Sequence, residues 1–207
     1  VPYFSRRIGL NQNRQIADID YALKLTGHEG KYHLGVLNAG VAPSGSSPNS
    51  NLTIARIKRD VLEQSTVGLI STFGDPNSDD DSSTHGVDFR HRTDKIFGNK
   101  IFEANAALLS SHNSESKDGT AFSIELLYPN DLINAGATYY RIDDTFDPKL
   151  GYVRRNGVNK FQNHLSWQPR FNNSEIVRQA FLSYTNSIYT TLGGGGETME
   201  NGLVVPR

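Results

Sequence analysis

Cysteine is absent from the 207 residues. Disulfides, zinc-thiolate centres and thiol nucleophiles are therefore excluded, while an oxidising compartment stays open because nothing there requires cysteine. No run of about 20 apolar residues occurs, so the chain carries no transmembrane helix. Membrane strands are not excluded, because alternation leaves them with only a weak hydropathy signal. Hydrophobic residues make up 36% of the chain, which is little for a buried soluble core. An excess of one charge is also lacking: the formal net charge is −1, and such a balance gives no basis for nucleic-acid binding. A leader peptide and an initiator Met are missing as well, since Val1 runs directly into Pro2, Tyr3 and Phe4. Either a mature N-terminus lies here or the sequence is an interior piece of a longer chain, and the second is the preferred reading.

What is present is a period of two. Ala17, Ile19, Tyr21, Leu23 and Leu25 alternate with Asp18, Asp20, Lys24 and Thr26. An apolar face opposite a charged one at that spacing is a strand between unlike environments. Val87 and Phe89 alternate with Asp88 and Arg90; Phe122, Ile124, Leu126 and Tyr128 form another stripe; Phe161, Leu165 and Trp167 alternate with polar residues. The pattern predicts ten strands, near 16–27, 32–40, 52–60, 66–73, 86–93, 100–110, 120–128, 133–141, 161–168 and 175–191. The last has some helical character, and in 52–60 Ile54 and Ile57 fall on opposite faces.

The predicted connections alternate in length. Short ones fall at 28–31, 61–65, 94–99, 129–132 and 169–174. Long ones, rich in Gly, Pro, Ser, Asn and Asp, fall at 41–51, 74–85, 111–119 and 142–160, with a tail from 192. Outer-membrane barrels have this asymmetry, since periplasmic turns need only reverse the chain while outer loops are solvated and free to grow. The expected fold is all-β: an antiparallel up-and-down transmembrane β-barrel, seen in part. It divides into an opening segment at 1–15 in an outer loop or the lumen, strands over 16–191, and a Gly-rich loop and tail at 192–207. If the short turns are periplasmic, the first strand runs inward, and a strand upstream of it is expected.

Several stretches together resemble a known family. They are Pro2 to Gly9 (PYFSRRIG), Leu25-Thr26-Gly27 with Gly35 to Ala39, Asn51 to Asp60 with Ser65 to Ile70, Gly86-Val87-Asp88, and Phe146 to Arg155 (FDPKLGYVRR). In this order they are similar to the uncharacterised outer-membrane β-barrel domain that follows a family-9-like carbohydrate-binding module in Gram-negative envelope proteins. The resemblance implies an outer-membrane location, contact with outer-membrane lipid, and a glycan link through an upstream module. It brings no catalytic residues.

Two arginine pairs are the leading candidate site: Arg6-Arg7 and Arg154-Arg155, the second near Asp143, Asp144 and Asp147. Forked guanidinium donors suit anionic or sugar groups in a lumen. The simpler reading, which we prefer, is that salt bridges pin a long loop across the barrel. Asp75, Asn77, Asp79 and Asp81 place oxygens at alternate positions, like the first half of a calcium loop. The sixth and twelfth positions hold Asp80 and Gly86 where such a loop has Gly and Glu, so a solvated acidic loop is the preferred reading over a calcium site. His85 and His91 share a strand face and are expected in a polar lumen rather than on a metal. No serine sits in a nucleophile elbow. Glu103 and Glu125 could form a glycosidase pair, but nothing in the sequence sets their separation. Gly193–Gly196 lacks the Lys-Ser or Lys-Thr of a phosphate loop and reads as a flexible segment. Tyr128, Tyr139, Tyr140, Trp167, Tyr184 and Tyr189 suit an interfacial girdle. The function expected is a membrane scaffold, pore or transport component. The alternatives are a soluble β-sandwich that binds carbohydrate and a glycoside hydrolase component.

Overall fold

A computed structural model describes residues 1–96, 98–114, 116–171, 178–194 and 197–204. After a 3-10 turn at Ser5–Arg7, eleven strands follow. They are β1 (Ile19–Glu29), β2 (Tyr32–Val41), β3 (Ser50–Val61), β4 (Ser65–Phe73), β5 (Ser82–Ile96), β6 (Lys100–Asn113), β7 (Gly119–Pro129), β8 (Ile133–Ile142), β9 (Val158–Trp167), β10 (Leu182–Thr191) and β11 (Glu197–Val204). Each pairs antiparallel with the next, giving one up-and-down sheet in sequence order. The expected all-β antiparallel class is what forms. Closure does not follow: among the described residues the order runs from β1 to β11 without a ladder joining them, so the sheet is open rather than a barrel.

The registers sort the side chains into two faces of opposite character. One face carries Leu23 and Leu25 of β1, Leu34 and Val36 of β2, Ile57 of β3, and Val67 and Leu69 of β4. It continues through Val87, Phe89, Leu108, Ile124 and Leu126 to Phe161, Leu165, Leu182 and Met199. All of these are exposed. The other face carries Lys24, Arg56, Lys58, Asp88, Arg90, Glu103 and Glu125. This polar face is concave. One cavity of about 360 Å³ touches both Arg56 on β3 and Tyr140 on β8, strands that would stand about 24 Å apart in a flat sheet.

On the concave side at the long-loop end lies the small core. Ala17, Val41, Leu52, Ile54 and Leu150 bury one another, with Tyr3, Ile8, Leu37 and Ile70 against them. The opening segment and the connection at 143–157 therefore fold in over the sheet. Gly119 makes room for the latter: a Cβ there would lie 2.2 Å from the backbone nitrogen of Phe146, which is 2% exposed.

Four sequence expectations change. First, Ile19 pairs with Val41 and Tyr21 with Gly40, so a bulge at Asp20 breaks the single stripe from Ala17 to Leu25. Ile19 joins the concave face and Ala17 the core, while Tyr21 lies across Gly40 and its hydroxyl accepts from Asn51 Nδ2. Second, an eleventh strand stands where a tail is expected, while the strand expected at 175–191 forms over Leu182–Thr191. Third, β6 and β7 leave only 114–118 between them, whereas β9 and β10 are separated by 168–181, a long connection on the short-turn side. Residues 172–177, within the expected turn and strand start, lie outside the described residues, as do 195–196 of the glycine run. Fourth, His85 and His91 sit on the apolar face, accepting or donating at Ser71 and Ser65, and not on the polar side. Among the described residues no helix is long and apolar enough to cross a membrane.

Candidate ligand-binding cavity on the concave face

The 143–157 connection is tied down at both ends. Phe4 N donates to Leu150 O at 2.8 Å, Tyr152 N donates to Val1 O at 2.9 Å, and Arg7 Nε donates to Gly151 O at 3.1 Å. Asp147 N donates to Ser111 Oγ at 3.0 Å, and Asn156 Nδ2 donates to Phe146 O at 2.8 Å. Lys149 adds a charged anchor, its ammonium 2.8 Å from Asp147 and 3.5 Å from the buried Asp75. Burial alone lowers the Lys149 pKa, but the hydrogen bonds and charges of Asp147 and Asp75 outweigh it and leave it raised.

Beneath this strap opens a cavity of about 460 Å³. Its apolar wall is Ala121, Ile142, Phe146 and Val158. Its charged wall is Arg154, Arg155 and Lys160, with Glu200 of β11 as the single acid among the described residues that line it. The cations are held by rings: Arg155 lies 5.8 Å from the Tyr189 ring centroid, and Lys160 lies 5.1 Å from Tyr189 and 6.0 Å from Tyr140. Lys160 also donates to Gln162 Oε1 at 2.7 Å.

The candidate residues separate. Arg154 and Arg155 line the cavity and make no salt bridge to a described carboxylate. The ion pairs expected with Asp143, Asp144 and Asp147 therefore do not form. Asp143 accepts from Thr120 N at 3.0 Å and faces Arg141 at 3.9 Å; Asp144 offers its carbonyl to Asn156; Asp147 binds Lys149. Arg7 does tie the loop, but through a backbone carbonyl, and Arg6 is exposed in the 3-10 turn.

The oxygens at 75–81 do not converge. Asp75 accepts from Asn77 N at 2.8 Å and faces Lys149, and Asp81 enters through its carbonyl, which accepts from Ser114 N. Asp79 sits in the same loop without joining them. Among the described residues no group of three or more His, Asp or Glu side chains is placed to hold a metal. Glu103 is occupied by Arg90 at 2.8 Å and Arg92 at 3.1 Å, and Glu125 by Asn105 at 2.8 Å. Both carboxylates thus balance the concave face.

Lys160, Tyr140, Tyr189 and Glu200 join the site only through sheet register, because Tyr140 pairs with Lys160, Lys160 with Tyr189, and Ser187 with Glu200. The available sequence signal is parity: all four share the face of Glu125 and Gln162. Tyr140 and Tyr189 accordingly leave the expected outer girdle, while Tyr128, Tyr139, Trp167 and Tyr184 lie on the apolar face. No protein-family model, curated protein or solved structure matches this chain.

Proposed function

We propose that this chain is the wall of an outer-membrane β-barrel that acts as an envelope scaffold, pore or transport component. Its apolar face contacts lipid and its concave side faces a polar lumen that the opening segment and the 143–157 strap fill at one end. The observation that carries this reading is the exposed apolar face, which reaches every strand of the sheet and is interrupted on β9 to β11 by a hydrogen-bonded row of Asn163, Asn186 and Asn201. Eleven strands at about 4.8 Å spacing make a band roughly 50 Å wide. Soluble monomers rarely expose contiguous apolar patches beyond a few hundred Å². Strand length supports it: β1 to β10 run from 9 to 15 residues, against about 9–11 needed to cross a bilayer core. Aromatics favour it too, with Tyr32, Phe102, Tyr128 and Trp167 near the short-turn end of that face and Tyr21, Phe73, Phe122 and Tyr139 near the other.

Charge on the concave face would be costly in hydrocarbon, and several of these charges pair across strands on the lumenal side. Arg56 reaches over Gly68 to Asp88, with Nη2 to Oδ1 at 2.9 Å. A lipid-facing sheet needs every backbone group bonded, so further strands would complete the edges at β1 and β11. The sandwich alternative would need a second sheet over the apolar face, whereas all eleven strands lie in one. The family resemblance extends the proposal to glycan handling through an upstream carbohydrate-binding module. The test is fractionation of the native protein: it should stay with the outer membrane after an alkaline carbonate wash and need detergent for release. A monomer that is soluble without detergent would refute it.

A further inference from the structure

We propose that the cavity under the 143–157 strap binds a small hydroxylated organic acid, with one carboxylate or phosphate held by Arg154, Arg155 and Lys160. The inference holds whichever medium covers the apolar face, because it rests on the concave side alone. Three cations against Glu200 leave the described lining with an excess of two positive charges. Stacking on Tyr189 and Tyr140 orients Arg155 and Lys160 without neutralising them, so their charge stays available to a ligand. A guanidinium pair offers forked donors that match a carboxylate or phosphate.

Size sets the class. A cavity of about 460 Å³ lies within the range of small-molecule sites, roughly 300–1,000 Å³, and a bare phosphate would leave most of it unfilled. The remaining wall says what the body of the ligand is. Tyr152, which is 49% exposed, gives an apolar surface with Ile142 and Val153, while Ser123, Thr198 and Glu200 offer hydroxyl and carboxylate partners for ligand hydroxyls. An acid group at one end and hydroxyls at the other complement this wall, whereas the chain of a fatty acid would offer Ser123, Thr198 and Glu200 no hydrogen-bond partner. The carboxylates of Asp143 and Asp147 are held by Thr120 and Lys149, and neither they nor Asp144 line the cavity.

The test is calorimetric titration of the full chain with glucuronate, glucose 6-phosphate, glucose and inorganic phosphate. Glucuronate or glucose 6-phosphate should bind at least about tenfold tighter than glucose, and whichever is tighter names the acid. Inorganic phosphate should bind more weakly than either. Arg154→Gln with Arg155→Gln should weaken the acid about tenfold or more, Lys160→Gln should also weaken it, and Arg155→Lys should retain part of the affinity. Arg14→Gln, outside the cavity, should change nothing, and circular dichroism should show all variants folded. Equal binding of glucose and glucuronate, unchanged affinity in the folded arginine variants, or no binding of any acid at about 10 mM would overturn the assignment.

Discussion

Replacing Leu69 by arginine separates a lipid-facing wall from a water-facing one. Leu69 lies mid-strand on β4, between Ile57 and Val87 on its two neighbours, and is 53% exposed. In water such a position is forgiving, and surface substitutions usually stay within about 0.5 kcal/mol. At a bilayer midplane an arginine on the lipid face costs about 2–4 kcal/mol, and near the interfaces only about 0–1. Leu69→Arg should therefore destabilise the protein folded in lipid vesicles by about 2–4 kcal/mol. Phe73→Arg, at the end of the same strand, should cost about 0–1 kcal/mol on the same scale. Lys58→Leu, on the concave face, should cost less than Leu69→Arg because it leaves the lipid contact intact. Urea unfolding followed by fluorescence is a direct assay, since the chain has one tryptophan and Trp167 is itself half-exposed on the apolar face. If Leu69→Arg shifts stability by under about 0.5 kcal/mol, or no more than Lys58→Leu does, that face does not touch lipid.

Further outcomes concern the concave side. A Cβ on Gly68 would lie 2.5 Å from Arg56 Nη2 and 2.9 Å from Asp88 Oδ2, so Gly68→Ala should push the pair apart at a cost of about 1 kcal/mol in the same unfolding assay. Gly119→Ala should be worse, because its Cβ meets the backbone of Phe146; losing that side chain's burial should cost about 2–3 kcal/mol and speed proteolysis within 143–157. Lys149→Met should free the strap and leave the buried Asp75 without its cation, costing about 2 kcal/mol after allowance for the partly exposed ammonium. Because the Lys149 pKa is raised on folding, its contribution is fully present below the ordinary lysine value of about 10.4 and is lost as pH rises through the higher folded value. Wild-type stability should accordingly carry a loss above about pH 10.4 that Lys149→Met lacks, read from urea midpoints across that range.

Much of the sheet was legible because its two sides meet unlike surroundings. Where apolar and charged residues alternate sharply, as from Val87 to Arg90, one strand suffices to set parity. Legibility failed where contrast was low or a register slipped. The Asp20 bulge hides in the sequence, since alternation from Ala17 to Leu25 continues through a point where the backbone does not. Thr198 to Gly202 mixes Met and Glu with Asn and Gly too weakly to announce β11. The polar end of β6, Ser110 to Asn113, reads as loop by composition, yet Ser111 and Asn113 are buried because the strap lies over them. For the cavity, adjacent residues such as Arg154 and Arg155 could be picked out, while Lys160, Tyr189 and Glu200 come together only once three strands are in register.

The contacts of the opening segment also dictate an order of assembly. Phe4 bonds to Leu150 and Arg7 to Gly151, the latter 144 residues away along the chain. Closing so large a loop is entropically costly until the strands between are in place. The opening segment, made before the strands it closes on, is thus among the last to lock, and until it does, the ridge of Leu52 and Ile54 stands uncovered.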